Sequence, residues 1–209
     1  MQSLKLTLSI LIITGLSIVS GFAQNSKKVE SALAFQKTIN EEYKDAEESP
    51  LSSEDREAFR SLDFFEIDTN YVVDAEFVRT PYESPFAMPT TKERTPIYVK
   101  YGELYFQLKG KKFKLNVYQS QDLAKKPEYA DYLFLPFTDQ TNGETTYGGG
   151  RYIDLKLPLG KRVEIDFNKA YNPYCAYSKN YSCPIPPSEN DLKTSIPVGV
   201  RYDKEKLLH

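Results

Sequence analysis

The stretch that decides the fold is residues 97–117, IYVKYGELYFQLKGKKFKLNV. Its apolar residues alternate with polar ones in three short runs, which is the pattern of strands that bury one face. Glycine-containing turns are predicted between the runs, at residues 101–102 and 110–111. The second turn places Phe106 opposite Leu115, so that the apolar faces of the two strands agree. The stretch therefore predicts an antiparallel meander.

The rest of the chain adds strands after this meander and helices before it. A segment with four prolines, residues 80–96, predicts a long extended loop. Strands are predicted at residues 71–73, 75–78, 132–136, 151–157 and 162–168, and helices at residues 26–46 and 53–62, the second capped by Ser53. The fold class is therefore mainly β, a single antiparallel β-barrel or sandwich domain preceded by one or two N-terminal helices.

The first 23 residues have the pattern of a secretory signal peptide. Lys5 supplies the positive charge, residues 6–19 are largely apolar, and Gly21 and Ala23 are small residues at the positions that a signal peptidase reads. The alternative is a retained membrane anchor, for which the apolar stretch is short. We expect cleavage after Ala23, a mature domain of residues 24–209, and a periplasmic or secreted location.

Charge and histidine content exclude several classes of function. The formal net charge is −2 and no basic block is present, so nucleic acid and, after signal cleavage, the membrane are not expected partners. The single histidine, His209, is the last residue. We therefore do not expect a Ser-His-Asp or Cys-His catalytic centre, or a histidine-ligated metal site, because chain ends are usually frayed. We expect a monomer with a small molecule as its partner.

Two carboxylates are the candidate catalytic residues. If residues 151–157 and 162–168 form a hairpin with a loop at 159–161, Asp154 lies opposite Asp166. Like charges in that arrangement are destabilising unless a cation bridges them, a basic side chain pairs with them, or one carboxyl is protonated. The alternative is that both are solvated on an outer face. A divalent cation is thus a candidate cofactor, although its identity is unknown.

Glycines and polar residues around these strands are candidates for ligand binding. The run Gly148–Gly149–Gly150 before Arg151 suits a loop whose N–H groups face an anion, and a β-bulge is the alternative. It is not a phosphate loop, because no Lys-Ser or Lys-Thr follows it. The full set of candidates is Tyr147, Gly149, Gly150, Arg151, Tyr152, Asn168, Tyr171, Asn172, Glu189 and Asn190.

The two cysteines, Cys175 and Cys183, are separated by seven residues in an irregular, proline-rich segment. In an exported chain this spacing predicts a disulfide. The alternative is a pair of reduced thiols, one of them reactive.

An ordered series of residues resembles the DUF1684 family. The residues that carry the resemblance are Phe137, Asp139, Thr146, Tyr147, Gly148, Gly150, Arg151, Tyr152, Asp154, Asp166, Phe167, Asn168, Ala170, Tyr171, Asn172, Pro173, Cys175, Ala176, Tyr177, Cys183, Pro184, Pro186, Pro187, Glu189 and Asn190. The resemblance implies a bacterial or archaeal protein with a mostly β domain, and it implies no activity, because none is established for the family. Members that look cytosolic also carry the cysteine pair, so the family pattern does not require an oxidising compartment.

Three functions follow from these features. The first is a small-ligand-binding β domain, with tyrosines and Arg151 around a pocket. The second is a carboxylate- or metal-dependent hydrolase that uses Asp154 and Asp166. The third is a structural protein of the cell envelope. Converging carboxylates favour the hydrolase, separated carboxylates in a tyrosine-lined pocket favour binding, and a site without a pocket favours the structural role.

Overall fold

The computed structural model describes the backbone of residues 2–202 and the side chains of residues 23–202. Helix α1 covers Gln2–Lys44 and helix α2 covers Ser53–Ala58. Ser52, one residue before the predicted cap, begins α2 by accepting a hydrogen bond from the Asp55 N–H at 3.1 Å. Apart from Ala23, the predicted signal peptide lies outside the described side chains. Within the described residues, no helix is both long and apolar enough to cross a membrane.

Within the part of the chain that the structure describes, seven antiparallel strands form one sheet, which confirms the mainly β fold with its N-terminal helices. The strands are β1 (Val72–Arg79), β2 (Phe86–Ala87), β3 (Ile97–Leu108), β4 (Lys111–Ser120), β5 (Tyr132–Phe137), β6 (Arg151–Lys156) and β7 (Arg162–Asp166). Their order is β6-β5-β4-β3-β1-β7, and β2 pairs with β3. The short β2 lies inside the segment that was expected to be a loop throughout.

The β3–β4 hairpin confirms the predicted faces but not the predicted register. Its turn consists of Lys109 and Gly110, which both have positive φ angles, 50° and 75°. Phe106 pairs with Phe113, whereas the predicted register places it opposite Leu115. The difference is two residues, and a shift of two leaves every side chain on the same face of the sheet.

The turn expected at residues 101–102 is a bulge inside β3. The strand runs through this point, and its register with β4 shifts between Lys100 and Gly102. A Cβ atom on Gly102 would lie 2.3 Å from the Phe77 ring, so the glycine allows β1 to pack closely here. The glycine therefore marks a close approach between strands rather than a chain reversal.

The hairpin predicted between β6 and β7 is wrong. β6 pairs with β5, where Asp154 lies opposite Phe134, and β7 pairs with β1, where Asp166 lies opposite Val72. The two strands are the opposite edges of the sheet, and residues 157–161 connect one edge to the other. Alternation fixes the face of each residue but not the partner of a strand, which is why the prediction failed.

The sheet curls so that its two edges approach each other. Shortly after the end of β7, Tyr171 exchanges two backbone hydrogen bonds with Tyr152 of β6, at 2.9 and 3.0 Å. This bridge, called the seam below, leaves a half-closed barrel. The concave interior holds the main core, whose members include Leu104, Phe106, Leu115, Val117, Leu133, Leu135, Phe137, Ile153, Ile165 and Phe167.

Helix α1 packs beside the seam. Ile39 and Tyr43 are buried against Leu62 and Val200. The Tyr43 ring also meets the Tyr177 ring edge-on, with centroids 5.2 Å apart. These contacts hold the C-terminal half of α1 against the segment that follows β7.

Candidate functional site

Asp154 accepts two tyrosine hydroxyls on the convex side of the sheet. The side chain projects outwards from β6, because its neighbour Ile153 faces the interior core. Tyr132, at the start of β5, and Tyr171, at the seam, each donate a hydrogen bond to Asp154 Oδ1 at 2.8 Å. No described residue donates to Oδ2, which therefore remains an open acceptor.

An aromatic cluster surrounds this carboxylate. The Phe134 and Tyr152 rings pack edge to face with centroids 4.6 Å apart. The Tyr152 and Tyr171 rings have the same arrangement with centroids 5.9 Å apart. The cluster consists of Phe86, Met88, Tyr98, Tyr118, Tyr132, Phe134, Tyr152 and Tyr171. The convex face of the sheet is thus covered by rings at this position, with one acidic side chain among them.

The Asp154 carboxylate is exposed, yet the side chains around it affect its protonation. Its side chain is exposed to solvent. Nevertheless, desolvation by its neighbours is the largest effect on its pKa and raises it, against the hydrogen bonds from Tyr171 and Tyr132 that lower it. The carboxylate is therefore accessible to solvent and partly desolvated by the side chains beside it.

Three more side chains lie within electrostatic range of Asp154. Burial is the main cause that raises the pKa values of Glu42, Tyr98 and Tyr174, and the charge of Asp154 adds to it in each case. We call the group of Asp154, Tyr98, Tyr132, Tyr171, Tyr174 and Glu42 the Asp154 cup.

The Asp154 cup carries excess negative charge. Lys156, two residues along β6, lowers the pKa of Asp154, but this is the smallest of the contributions. Neither Asp154 nor Glu42 forms an ion pair with another described residue. Two cations therefore act on the cup, Lys156 on Asp154 and Arg94 on Tyr98, and neither forms an ion pair with a carboxylate of the cup.

Arg151, a predicted ligand-binding residue, is fully buried. Its guanidinium donates to Asp139 Oδ2 at 2.8 Å and to the carbonyl oxygens of Ile196 and Val198. Burial lowers the pKa of Arg151, and Asp139 opposes this effect. The Arg151 side chain thus connects β6 to the C-terminal segment by hydrogen bonds and does not reach solvent.

The predicted Asp154–Asp166 pair does not form, because the two strands lie at opposite edges. Asp166 Oδ1 accepts hydrogen bonds from the backbone N–H and side-chain amide of Asn168, at 3.0 and 2.8 Å. Asn168 in turn accepts from the Asp68 N–H at 2.9 Å. Both residues build the turn after β7, and neither belongs to the Asp154 cup.

The glycine run forms a turn rather than an open ring of N–H groups. The Gly150 N–H donates to the Tyr147 carbonyl at 3.1 Å, so it is not free for an anion. A Cβ atom on Gly149 would lie 2.5 Å from the Tyr147 ring. The glycines therefore let the chain turn tightly beneath Tyr147 as it enters β6.

The remaining predicted ligand-binding residues divide between the core and the cup. Asn190 is buried and bridges Asn116 and Pro136. Asn172 is buried, and its side-chain amide donates to the Tyr177 hydroxyl at 3.0 Å. The Tyr152 hydroxyl donates to the Pro184 carbonyl. Glu189 is exposed on the turn before Asn190. Of the predicted set, only Asp154 and Tyr171 are members of the Asp154 cup.

Sequence reasoning missed Glu42, Tyr98, Tyr132 and Tyr174. Tyr132 could have been predicted, because it is the first residue of a predicted strand and lies on the same face as Phe134, which pairs with Asp154. No local pattern connects Glu42 with a strand more than a hundred residues away. Among the described residues, no three His, Cys, Asp or Glu side chains are grouped as metal ligands.

The predicted disulfide is also absent, since Cys175 and Cys183 are free thiols. The Cys175 N–H donates to the Cys183 sulfur at 3.2 Å, so the pair is joined by hydrogen bonds and not by a covalent bond. The hydrogen bond from the Cys183 thiol is the main cause that lowers the pKa of Cys175 to about 6. The Tyr147 hydroxyl lies 3.8 Å from the Cys175 sulfur.

Iodoacetamide is expected to alkylate Cys175 with a half-maximal rate near pH 6, because the thiolate is the reactive form. Cys183 is expected to stay unmodified in the native protein, because it is buried. Cys183→Ala should move the Cys175 profile towards about pH 8.5, the ordinary range of a thiol. Cys183→Ser keeps a hydrogen-bond donor and is the matched control. Mass spectrometry of the peptides measures both rates, and equal alkylation of the two cysteines would contradict the prediction.

Comparisons with known proteins agree with this fold. Residues 57–201 match the model of a family described as "Protein of unknown function (DUF1684)". The solution NMR structure of an uncharacterised protein from Haloarcula marismortui is similar, with 32% sequence identity and a TM-score of 0.68, over 87% of this chain and 98% of that one. No curated protein matches the chain. The chain belongs to the DUF1684 family.

Proposed function

We propose that this protein is an exported small-ligand-binding β domain whose ligand occupies the Asp154 cup. The observation that carries the proposal is Asp154, a solvent-accessible carboxylate held by two tyrosine hydroxyls on the same oxygen. A fixed acceptor within an aromatic surface is the usual composition of a small-molecule site. Export rests on the signal-like first 23 residues. N-terminal sequencing of the protein from its own cells checks export, with Gln24 as the expected first residue.

The cup is formed before any ligand arrives. Tyr132 is held by strand pairing and Tyr171 by the seam, so both hydroxyls are fixed by backbone hydrogen bonds nearby. Groups that are already ordered lose little conformational entropy when a ligand binds. The hydrolase alternative lacks its pair of carboxylates, because Asp154 and Asp166 lie on opposite edges of the sheet.

An NMR screen with a fragment library of amines, carboxylic acids, alcohols and sugars tests the binding function. We expect bound fragments to shift the backbone signals of Asp154, Tyr132 and Tyr171. Tyr132→Phe/Tyr171→Phe should weaken binding at least threefold, because the carboxylate loses both donors while the rings remain. Tyr105→Phe is the matched control, since Tyr105 donates to a different carboxylate, Glu103. If no fragment binds at millimolar concentration, or if all bind elsewhere, the proposed function is wrong.

A further inference from the structure

We propose that the ligand of the Asp154 cup is a small organic cation that carries an alkylammonium group. This inference rests on the proposed function, because it names the chemical class of ligand for the same site. Three features carry it: the charge of the cup, the rings around that charge, and the free oxygen of Asp154.

The charge of the cup lacks a direct partner. Asp154 and Glu42 each avoid ion pairs with described residues, and each raises the electrostatic cost of ionising the other. Lys156 lowers the pKa of Asp154 from outside contact distance, and Arg94 acts on Tyr98 without pairing with either carboxylate. A bound cation would remove the mutual repulsion and offset the desolvation of Asp154. An anionic ligand would increase both costs, and a neutral one would leave them unchanged.

The rings favour an organic cation over a metal ion. Tyr132 and Tyr171 contact the carboxylate through their hydroxyls. The Tyr171 ring packs against Tyr152 and, on the α1 side, against Phe35, with ring centroids 5.9 and 6.4 Å apart. Ring faces attract weakly hydrated ammonium groups, and aromatic cages for quaternary ammonium ligands use this attraction. A divalent metal instead needs several oxygen or nitrogen ligands. Within residues 23–202, no group of three His, Cys, Asp or Glu side chains provides them.

The two oxygens of Asp154 have different roles. Oδ1 already accepts both tyrosine hydroxyls, so it is held in place. Oδ2 has no donor among the described residues and remains available to the ligand. An ammonium group beside Oδ2 would contact the carboxylate and lie near the two tyrosine side chains that hold Oδ1. This combination of one acceptor and several rings discriminates by charge as well as by shape.

The test compares two probes of the same shape. Choline and its neutral carbon isostere 3,3-dimethylbutan-1-ol differ in charge at a single atom, and isothermal titration measures the affinity of each. We expect choline to bind at least tenfold more tightly than the isostere. Asp154→Asn should lower the choline affinity at least tenfold, and it should leave the isostere affinity unchanged. The matched control, Tyr105→Phe, should change neither affinity.

The Asp154→Asn protein should fold, because the asparagine Oδ1 can accept both tyrosine hydroxyls. Burial raises the pKa of Asp154, so the ionised carboxylate opposes folding at neutral pH and its removal should not lower the unfolding midpoint. If this variant nevertheless fails to fold, Glu42→Gln carries the same test. Glu42 is exposed on α1, and its loss should lower choline affinity about threefold.

The outcomes separate the two proposals. Equal affinities for choline and the isostere would overturn the organic-cation inference, because charge would then contribute nothing. The same holds if choline does not bind but carboxylic acids or sugars from the fragment library occupy the cup, and the binding function would survive in both cases. If no probe of any class binds the cup, both proposals are wrong.

Discussion

Asp139→Ala is expected to lower the free energy of unfolding by about 3–5 kcal/mol, the usual effect of breaking a buried ion pair from one side. The Asp139 and Arg151 side chains are both 0% exposed, and their charged groups are 2.8 Å apart. Without the carboxylate, the guanidinium keeps its charge in the core with only carbonyl oxygens as partners. Asp139 also accepts hydrogen bonds from the Thr141 hydroxyl and the Ile196 N–H, so the loop loses its anchor as well.

The control for this prediction is the pair of Asp74 and Arg162. Its charged groups are also close, at 2.7 Å, but the side chains are 62% and 59% exposed. Asp74→Ala should therefore lower the free energy of unfolding far less than Asp139→Ala, since water solvates the released arginine. Urea denaturation followed by circular dichroism measures both variants. An Asp139→Ala cost as small as that of Asp74→Ala would mean that the Arg151 charge is compensated by something other than Asp139.

Gly150→Ala is expected to lower the free energy of unfolding by roughly 2–5 kcal/mol, from a left-handed backbone and an overpacked site together. Gly150 has a φ angle of 89°. A Cβ atom there would lie 2.7 Å from both the Phe137 carbonyl oxygen and Pro186 Cγ. The carbonyl belongs to β5 and cannot move without disturbing the sheet.

Gly143→Ala separates the two causes. Gly143 has a similar φ angle, 83°, but no atom lies within 4 Å of the position that its Cβ would take. The substitution should therefore cost only the backbone contribution, roughly 1–2 kcal/mol. The same urea denaturation applies, and the difference between the variants gives the steric contribution. Equal costs would show that the chain around Gly150 relaxes to admit a methyl group.

The period of alternation predicted which residues face the core, and it did so even where the register was wrong. Phe106 and Leu115 are both interior although they are not partners. Strand partners could not be predicted in the same way, because β6 and β7 are adjacent in sequence yet lie at opposite edges. The decision between a local hairpin and a distant partner depends on how the whole sheet curls, and neither strand alone contains that information.

Two residues of the candidate site, Asp154 and Tyr171, were predicted, but Asp154 was chosen for a reason that the structure does not support. Asp154 was expected to face Asp166, and its actual partners are hydroxyls from the start of β5 and from the seam. Arg151 was singled out as a polar residue near glycines, and it is special because it is buried with Asp139. Unusual composition therefore identified the region of the site. Burial separates the residues that support the fold from those that reach solvent, and sequence alone does not give burial.

Tyr171 has two attachments that cannot change independently. Its backbone joins the two ends of the sheet at Tyr152, and its side chain donates to Asp154 two residues further along the same strand. Parting the edges would therefore withdraw one of the two donors from the carboxylate. A ligand that requires the complete set of donors would bind only the closed sheet, and by thermodynamic linkage its occupancy and the closure of the barrel would rise and fall together.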